Sequence, residues 1–104
     1  MAEVYPEYRV RLERMLPGEK AVEEEYPENL GKRTKLGGEP IWIQGEQVPD
    51  CPSCQQPMAF IAEIDSFDHD GYGGKGPYMF GDVGMIYVFY CDECGEPQAV
   101  IQCY

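Results

Sequence analysis

The spacing of apolar positions changes once along this chain. Over residues 7–16, EYRVRLERML, the side chains of Tyr8, Leu12, Met15 and Leu16 recur on one helical face. Pro6 suits a first turn and Pro17-Gly18 ends the pattern, which predicts a short N-terminal helix. A helix of about ten residues is marginal alone and needs a surface to dock on. Residues 18–40 have few apolar positions and many Gly, Pro and Glu, and read as loop. Beyond them the period shortens to two. IWIQ at 41–44 and PMAFIAEI at 57–64 read as strands, the second with Phe60, Ala62 and Ile64 on one face and Ala59, Ile61 and Glu63 on the other. VGMIYVFYC at 83–91 is apolar on both faces and predicts a central strand, and PQAVIQC at 97–103 a last one. Residues 65–82 form a glycine-rich connection. The expected fold is mainly β: an antiparallel sheet with a short N-terminal helix, which the cysteines described next make zinc-ribbon-like. Residues 1–40 would form a helix-and-loop arm and 41–104 the β domain.

The cysteines give this plan its reason. Cys51-Pro52-Ser53-Cys54 and Cys91-Asp92-Glu93-Cys94 are two C-x2-C pairs separated by 36 residues. Two thiolates two residues apart can occupy two corners of a tetrahedron from one tight turn, and two such turns complete a four-sulfur shell around structural Zn²⁺. Pro52 stiffens the first turn, and Gly95 suits a left-handed backbone after the second. One strand leaves the metal, the connection reverses the chain, and the next strand returns to deliver Cys91. Four thiolates leave no open coordination position, which argues against catalytic zinc. A redox dithiol is the rival reading, although two pairs exceed what one redox site needs. Cys103 follows Val100 and Ile101 and reads as a packed thiol.

Composition narrows the function. The chain has 104 residues, enough for one domain, with 8 basic and 19 acidic side chains and a net charge of −11. A phosphate backbone or an anionic bilayer needs a cationic face, so neither nucleic acid nor membrane is the expected partner. The charge permits attraction to a basic protein, since opposite charge accelerates encounter, beside the plainer reading of an acidic surface that needs no partner. The second half, 51–104, holds one base (Lys75) against eight acids, and a tetrathiolate zinc site adds two further negative charges. Residues 1–10 lack the basic and apolar regions of a signal peptide, and the longest apolar run, Met85 to Cys91, is far short of the roughly 20 residues of a membrane span. The expected location is cytoplasmic, where paired cysteines are metal ligands or redox groups more often than disulfides.

Other candidates carry less. His69, the single histidine, stands between Asp68 and Asp70 with no nucleophile motif beside it, and reads as an exposed loop residue. The same stretch fits a calcium loop poorly, because position one would be Ser66 and position twelve Pro77. Gly71 to Gly76 lacks the ending and context of a phosphate loop. A hairpin tip carrying Asp68, Asp70, Tyr72 and Tyr78 is the candidate partner-binding surface, with a plain connector as the alternative. Trp42 reads as core.

KLGGEPIW, then CPSCQQPMAFIAEID, then GDVGMIYVFYCDECGEP, together spanning about residues 35–103, resemble the YwqG-like family of bacterial proteins and, more distantly, the zinc-bearing part of the programmed cell death protein 2 family. The resemblance implies a β-rich, non-enzymatic protein. It carries the metal role to Cys51, Cys54, Cys91 and Cys94, and a tight turn to Gly37-Gly38. YwqG-like domains are associated with toxin immunity, and the second family with chaperoning a basic ribosomal protein. The expected function is therefore that of a small acidic zinc-ribbon protein binding a basic protein. Its most specific form is an immunity protein that neutralises a toxin, with a chaperone or assembly factor as the alternative, and a zinc-stabilised domain with no cationic partner as the plainest.

Overall fold

The computed structural model describes residues 4–67, 76–81 and 83–104. It is built on a four-stranded antiparallel sheet in the order β1 (Lys35–Leu36), β2 (Ala59–Asp65), β3 (Gly84–Cys91), β4 (Glu96–Cys103). The mainly β architecture expected from the sequence is present, and β3 is central as its two apolar faces require. The addition is β1, two residues long, which pairs Lys35 with Glu63 and Leu36 with Ala62. Residues assigned to the arm by sequence thus form part of the sheet. Among the described residues no helix is long and apolar enough to cross a membrane.

The register decides what lies inside. Phe60 pairs with Phe89 but Ala62 with Val88, so one residue, Ile61, is bulged out of β2. A bulge shifts the alternation by one and exchanges the faces of everything beyond it. Ala62 and Ile64, expected on the face of Phe60, therefore lie on the opposite one, and Glu63 and Asp65 share the inner face with Phe60. That inner face presents Met85, Tyr87 and Phe89 of β3 and Val100 of β4, with Met58 beside them. Trp42 covers it, its ring 4.7 Å from Tyr87 and stacked at 6.2 Å on Phe89. The core role expected of Trp42 is the one observed.

Residues 41–44 are not a strand. Their backbone groups bond to side chains rather than to a neighbouring strand. Gln102 Oε1 accepts from the amides of Ile43 and Gln44 (3.0 and 2.9 Å). Glu63 Oε1 accepts from the amide of Ile41 (2.9 Å), and the Tyr87 hydroxyl donates to the Ile41 carbonyl (2.8 Å). Gln102 Nε2 also donates to the carbonyl of Gly45 and to Gln47 Oε1. One buried glutamine thereby fixes the loop that lids the core, and a buried backbone so satisfied needs no ladder.

The helix expected over 7–16 does not form; these residues are irregular and exposed. Leu12 and Leu16, meant for its buried stripe, are 74% and 71% exposed. So short a segment gains little from its own hydrogen bonds. Its aromatic end is held elsewhere: Tyr8 meets Phe67 and Tyr78 edge-on at 5.5 and 5.7 Å, and the Tyr78 hydroxyl donates to the Pro6 carbonyl (2.7 Å).

Candidate metal centre

Cys51 and Cys54 lie just before β2, Cys91 ends β3, and Cys94 lies in the turn into β4. The antiparallel order places all four at one end of the sheet. The two turns are built alike. The amide of Gln55 donates to the carbonyl of Cys51, and the amide of Gly95 to that of Cys91, both at 2.8 Å. The residue after each second cysteine takes a left-handed backbone, φ 69° at Gly95 and 66° at Gln55. Gly95 was readable for this role. Gln55 was not, because a glutamine there carries a Cβ strain on the order of 1 kcal/mol that glycine avoids. The first turn is further pinned by the Cys51 amide donating to the Gln56 carbonyl and the Met58 amide donating to that of Pro49. Ser53 Oγ donates to Glu96 Oε1 (3.3 Å) and links the two turns.

The four sulfurs lie within 4.8 Å of one another, and Cys54 Sγ is 3.8 Å from Cys91 Sγ. Four sulfurs about 2.3 Å from a central ion at tetrahedral angles stand about 3.8 Å apart. The donor set could therefore hold a metal ion in this geometry. Cys51 and Cys91 are buried, Cys54 is half-buried and Cys94 is exposed.

The thiols influence one another's protons. Backbone hydrogen bonds from Cys54, and more weakly from Ser53, pull the Cys51 thiol down to about 7 against its burial. The Gln56 amide acts to lower Cys54, but burial and the Cys91 and Cys51 sulfurs outweigh it and the thiol is raised. Hydrogen bonding with Cys54, then burial, pushes Cys94 up to about 12. Amides aimed at sulfur favour thiolate, while crowded sulfurs resist losing several protons at once. A bound cation relieves that resistance.

The remaining sequence candidates lie elsewhere. Cys103 is at the far end of β4, outside the cluster, with its Sγ 3.6 Å from the Phe80 carbonyl. A Cβ on Gly84 would run into the Phe80 carbonyl and crowd the Cys103 sulfur, so the thiol is packed. Tyr78 stacks on Phe67 at 4.6 Å and meets Tyr5 at 5.0 Å, at the end of the sheet opposite the cysteines. Asp68, His69, Asp70 and Tyr72 lie outside the described residues.

A second centre had no motif to announce it. Arg33 and Asp65 are both fully buried and paired twice, Nη2 to Oδ1 at 2.6 Å and Nε to Oδ2 at 2.8 Å. Asp65 Oδ2 also accepts from the amides of Gly31 and Arg33, and Arg33 Nη1 donates to the Tyr104 hydroxyl (2.7 Å). This network ties the segment before β1, and the C-terminal tyrosine, to the far end of β2. Glu63, next on that face, is buried with its carboxyl pushed up to about 7, chiefly by desolvation.

Comparison with known proteins gives a partial likeness. A stretch of 63 residues, 59% of this chain, is 33% identical to YpfL, an uncharacterized protein of Salmonella typhimurium, of which it covers 13%. The match thus spans about an eighth of that relative's length. No protein-family model and no solved structure matches the chain.

Proposed function

We propose that Cys51, Cys54, Cys91 and Cys94 hold one structural Zn²⁺, and that the protein is a metal-stapled acidic scaffold that binds another, basic, protein. The observation that carries the reading is the set of four sulfurs within 4.8 Å of one another. All-sulfur tetrahedral sites suit zinc or iron, and a complete thiolate shell leaves no position for substrate or water. The ion would hold the two turns, and through them β2, β3 and β4, in one register. The net charge of −11 supplies long-range attraction to a cationic surface.

The most specific form of this reading is neutralisation of a basic toxin, the role implied by the resemblance to YwqG-like proteins. Expressing the product of the neighbouring gene alone and together with this chain tests it: toxicity relieved by co-expression supports immunity. A basic partner without toxicity supports an assembly role instead. In either case association with the partner should slow steeply as salt rises, and charge reversal at Asp68 and Asp70 should slow it further. An on-rate indifferent to both would remove the electrostatic basis of the proposal.

A further inference from the structure

A groove of about 1360 Å³ opens between residues 10–26 and the edge of the sheet at β1. Met15, Tyr26, Leu36, Ile41, Trp42 and Tyr104 give it apolar walls. Two oxygens of residues that line it have no hydrogen-bond partner among the described residues: Asn29 Oδ1 and Glu63 Oε2. Their residues are 8% and 0% exposed. Both atoms can only accept when Glu63 is ionised, and the two cations that act on Glu63, Arg33 and Lys35, are engaged elsewhere, while Arg11, Arg14 and Lys20 belong to the wall formed by residues 10–26. Arg33 is held by Asp65 and Tyr104. Lys35 Nζ donates to the carbonyls of Gly37 and Glu39 and lies over the Phe60 ring. The lining thus combines apolar walls with buried acceptors that lack donors.

We infer that this groove binds an extended basic segment of a partner protein, with one lysine or arginine side chain reaching Glu63 and Asn29. The inference rests on the basic-partner reading above and assigns it a site. The aliphatic stem of such a residue suits the walls and its charged head suits the acceptors. The volume exceeds the roughly 300–1,000 Å³ of usual small-molecule pockets. In addition, among the described residues β1 pairs on one side only, with β2, so its outer edge offers main-chain groups to an added strand.

Trp42, the single tryptophan, lines the groove and reports on it. The full-length, metal-loaded chain is titrated with three hexapeptides, Ac-Val-Thr-Val-X-Val-Thr-amide, in which X is lysine, arginine or norleucine. The lysine or arginine peptide is expected to shift Trp42 emission saturably, with norleucine at least tenfold weaker, and Glu63→Gln is expected to remove most of that preference. Equal binding of the charged and neutral peptides, no saturable shift with any of them, or an unchanged preference in Glu63→Gln overturns the assignment. Hexylamine binding as tightly as the lysine peptide overturns it too, in favour of a small cation. The peptide comparison on the unaltered chain decides the matter even if Glu63→Gln does not fold. A basic protein that binds Glu63→Gln unchanged removes the groove and leaves the partner reading standing. A lysine peptide that binds where no basic protein does shows the reverse.

Discussion

At one end of the sheet four cysteine sulfurs gather within 4.8 Å; at the other, Arg33 and Asp65 meet in a fully buried pair at 2.6 Å. Both ends join segments distant in sequence, and both do so with charge or potential charge. They differ in what completes them. The sulfurs crowd one another and could hold an outside cation, whereas Asp65 finds its cation within the chain. A small domain buries too little surface to be secure on packing alone; the arginine end has its own cross-link, and the cysteine end has the ligands for one. Under the proposed zinc reading the cysteine end would depend on metal supply and redox conditions, whereas the arginine end depends only on folding.

Removing the metal should be the largest perturbation. Structural zinc contributes on the order of 10–16 kcal/mol of binding free energy that couples to folding. A strong chelator is therefore expected to unfold or loosen β2 to β4, seen as loss of near-UV dichroism from Trp42 and Tyr87. An unchanged spectrum after verified metal removal would make the two ends alike.

Arg33→Met should come next. It leaves Asp65 buried without its cation, a change that typically costs about 3–5 kcal/mol. Denaturant unfolding of the metal-loaded protein measures it. Replacing Asp65 by Leu in the same chain should recover only part of the loss, because the amides of Gly31 and Arg33 also lose their acceptor. A loss below about 1 kcal/mol, the range of exposed pairs, would mean that the far end needs no cross-link.

Glu63 gives a pH signature. Its carboxyl is raised from 4.5 to about 7, mainly by burial, with the Ile41 amide and Lys35 opposing. Between these values the folded state keeps a proton that the unfolded state has lost, so stability falls as pH rises from about 4.5 to about 7 and then levels. Glu63→Gln should flatten that decline and raise stability at pH 8 by up to about 3 kcal/mol. A decline of the same size in the variant would assign it to other groups. The smallest expected effect is at the metal end: Gln55→Gly should relieve the left-handed backbone strain and add up to about 1 kcal/mol in the same unfolding assay.

The cysteine end was readable because its information is local. Each pair sits in one turn, and the apolar runs on either side name the strands. The expected strands 57–64, 83–91 and 97–103 match β2, β3 and β4 to within two residues at each end. What escaped depends on long-range partners. The bulge at Ile61 exchanges the faces of the residues after it, and nothing in PMAFIAEI announces a bulge. IWIQ has strand character, but Gln102, Glu63 and Tyr87 satisfy its backbone from across the core. Arg33 and Asp65 are 32 residues apart in segments that read as loop, so neither looked buried. Asn29 and Glu63 come to line one groove only because β1 joins β2. The acidic half is also less uniformly exposed than its charge suggests, since Glu63 and Asp65 lie inside.

Metal content and thiol reactivity, measured together on protein purified under reducing conditions, test the central claim most directly. The chain has five cysteines, four of them in the cluster. The account predicts one zinc per chain and at most one thiol, that of Cys103, reactive until a chelator is added, after which the other four react as the metal leaves. Protein that is folded, free of metal and reactive at all four cluster thiols from the start would contradict it.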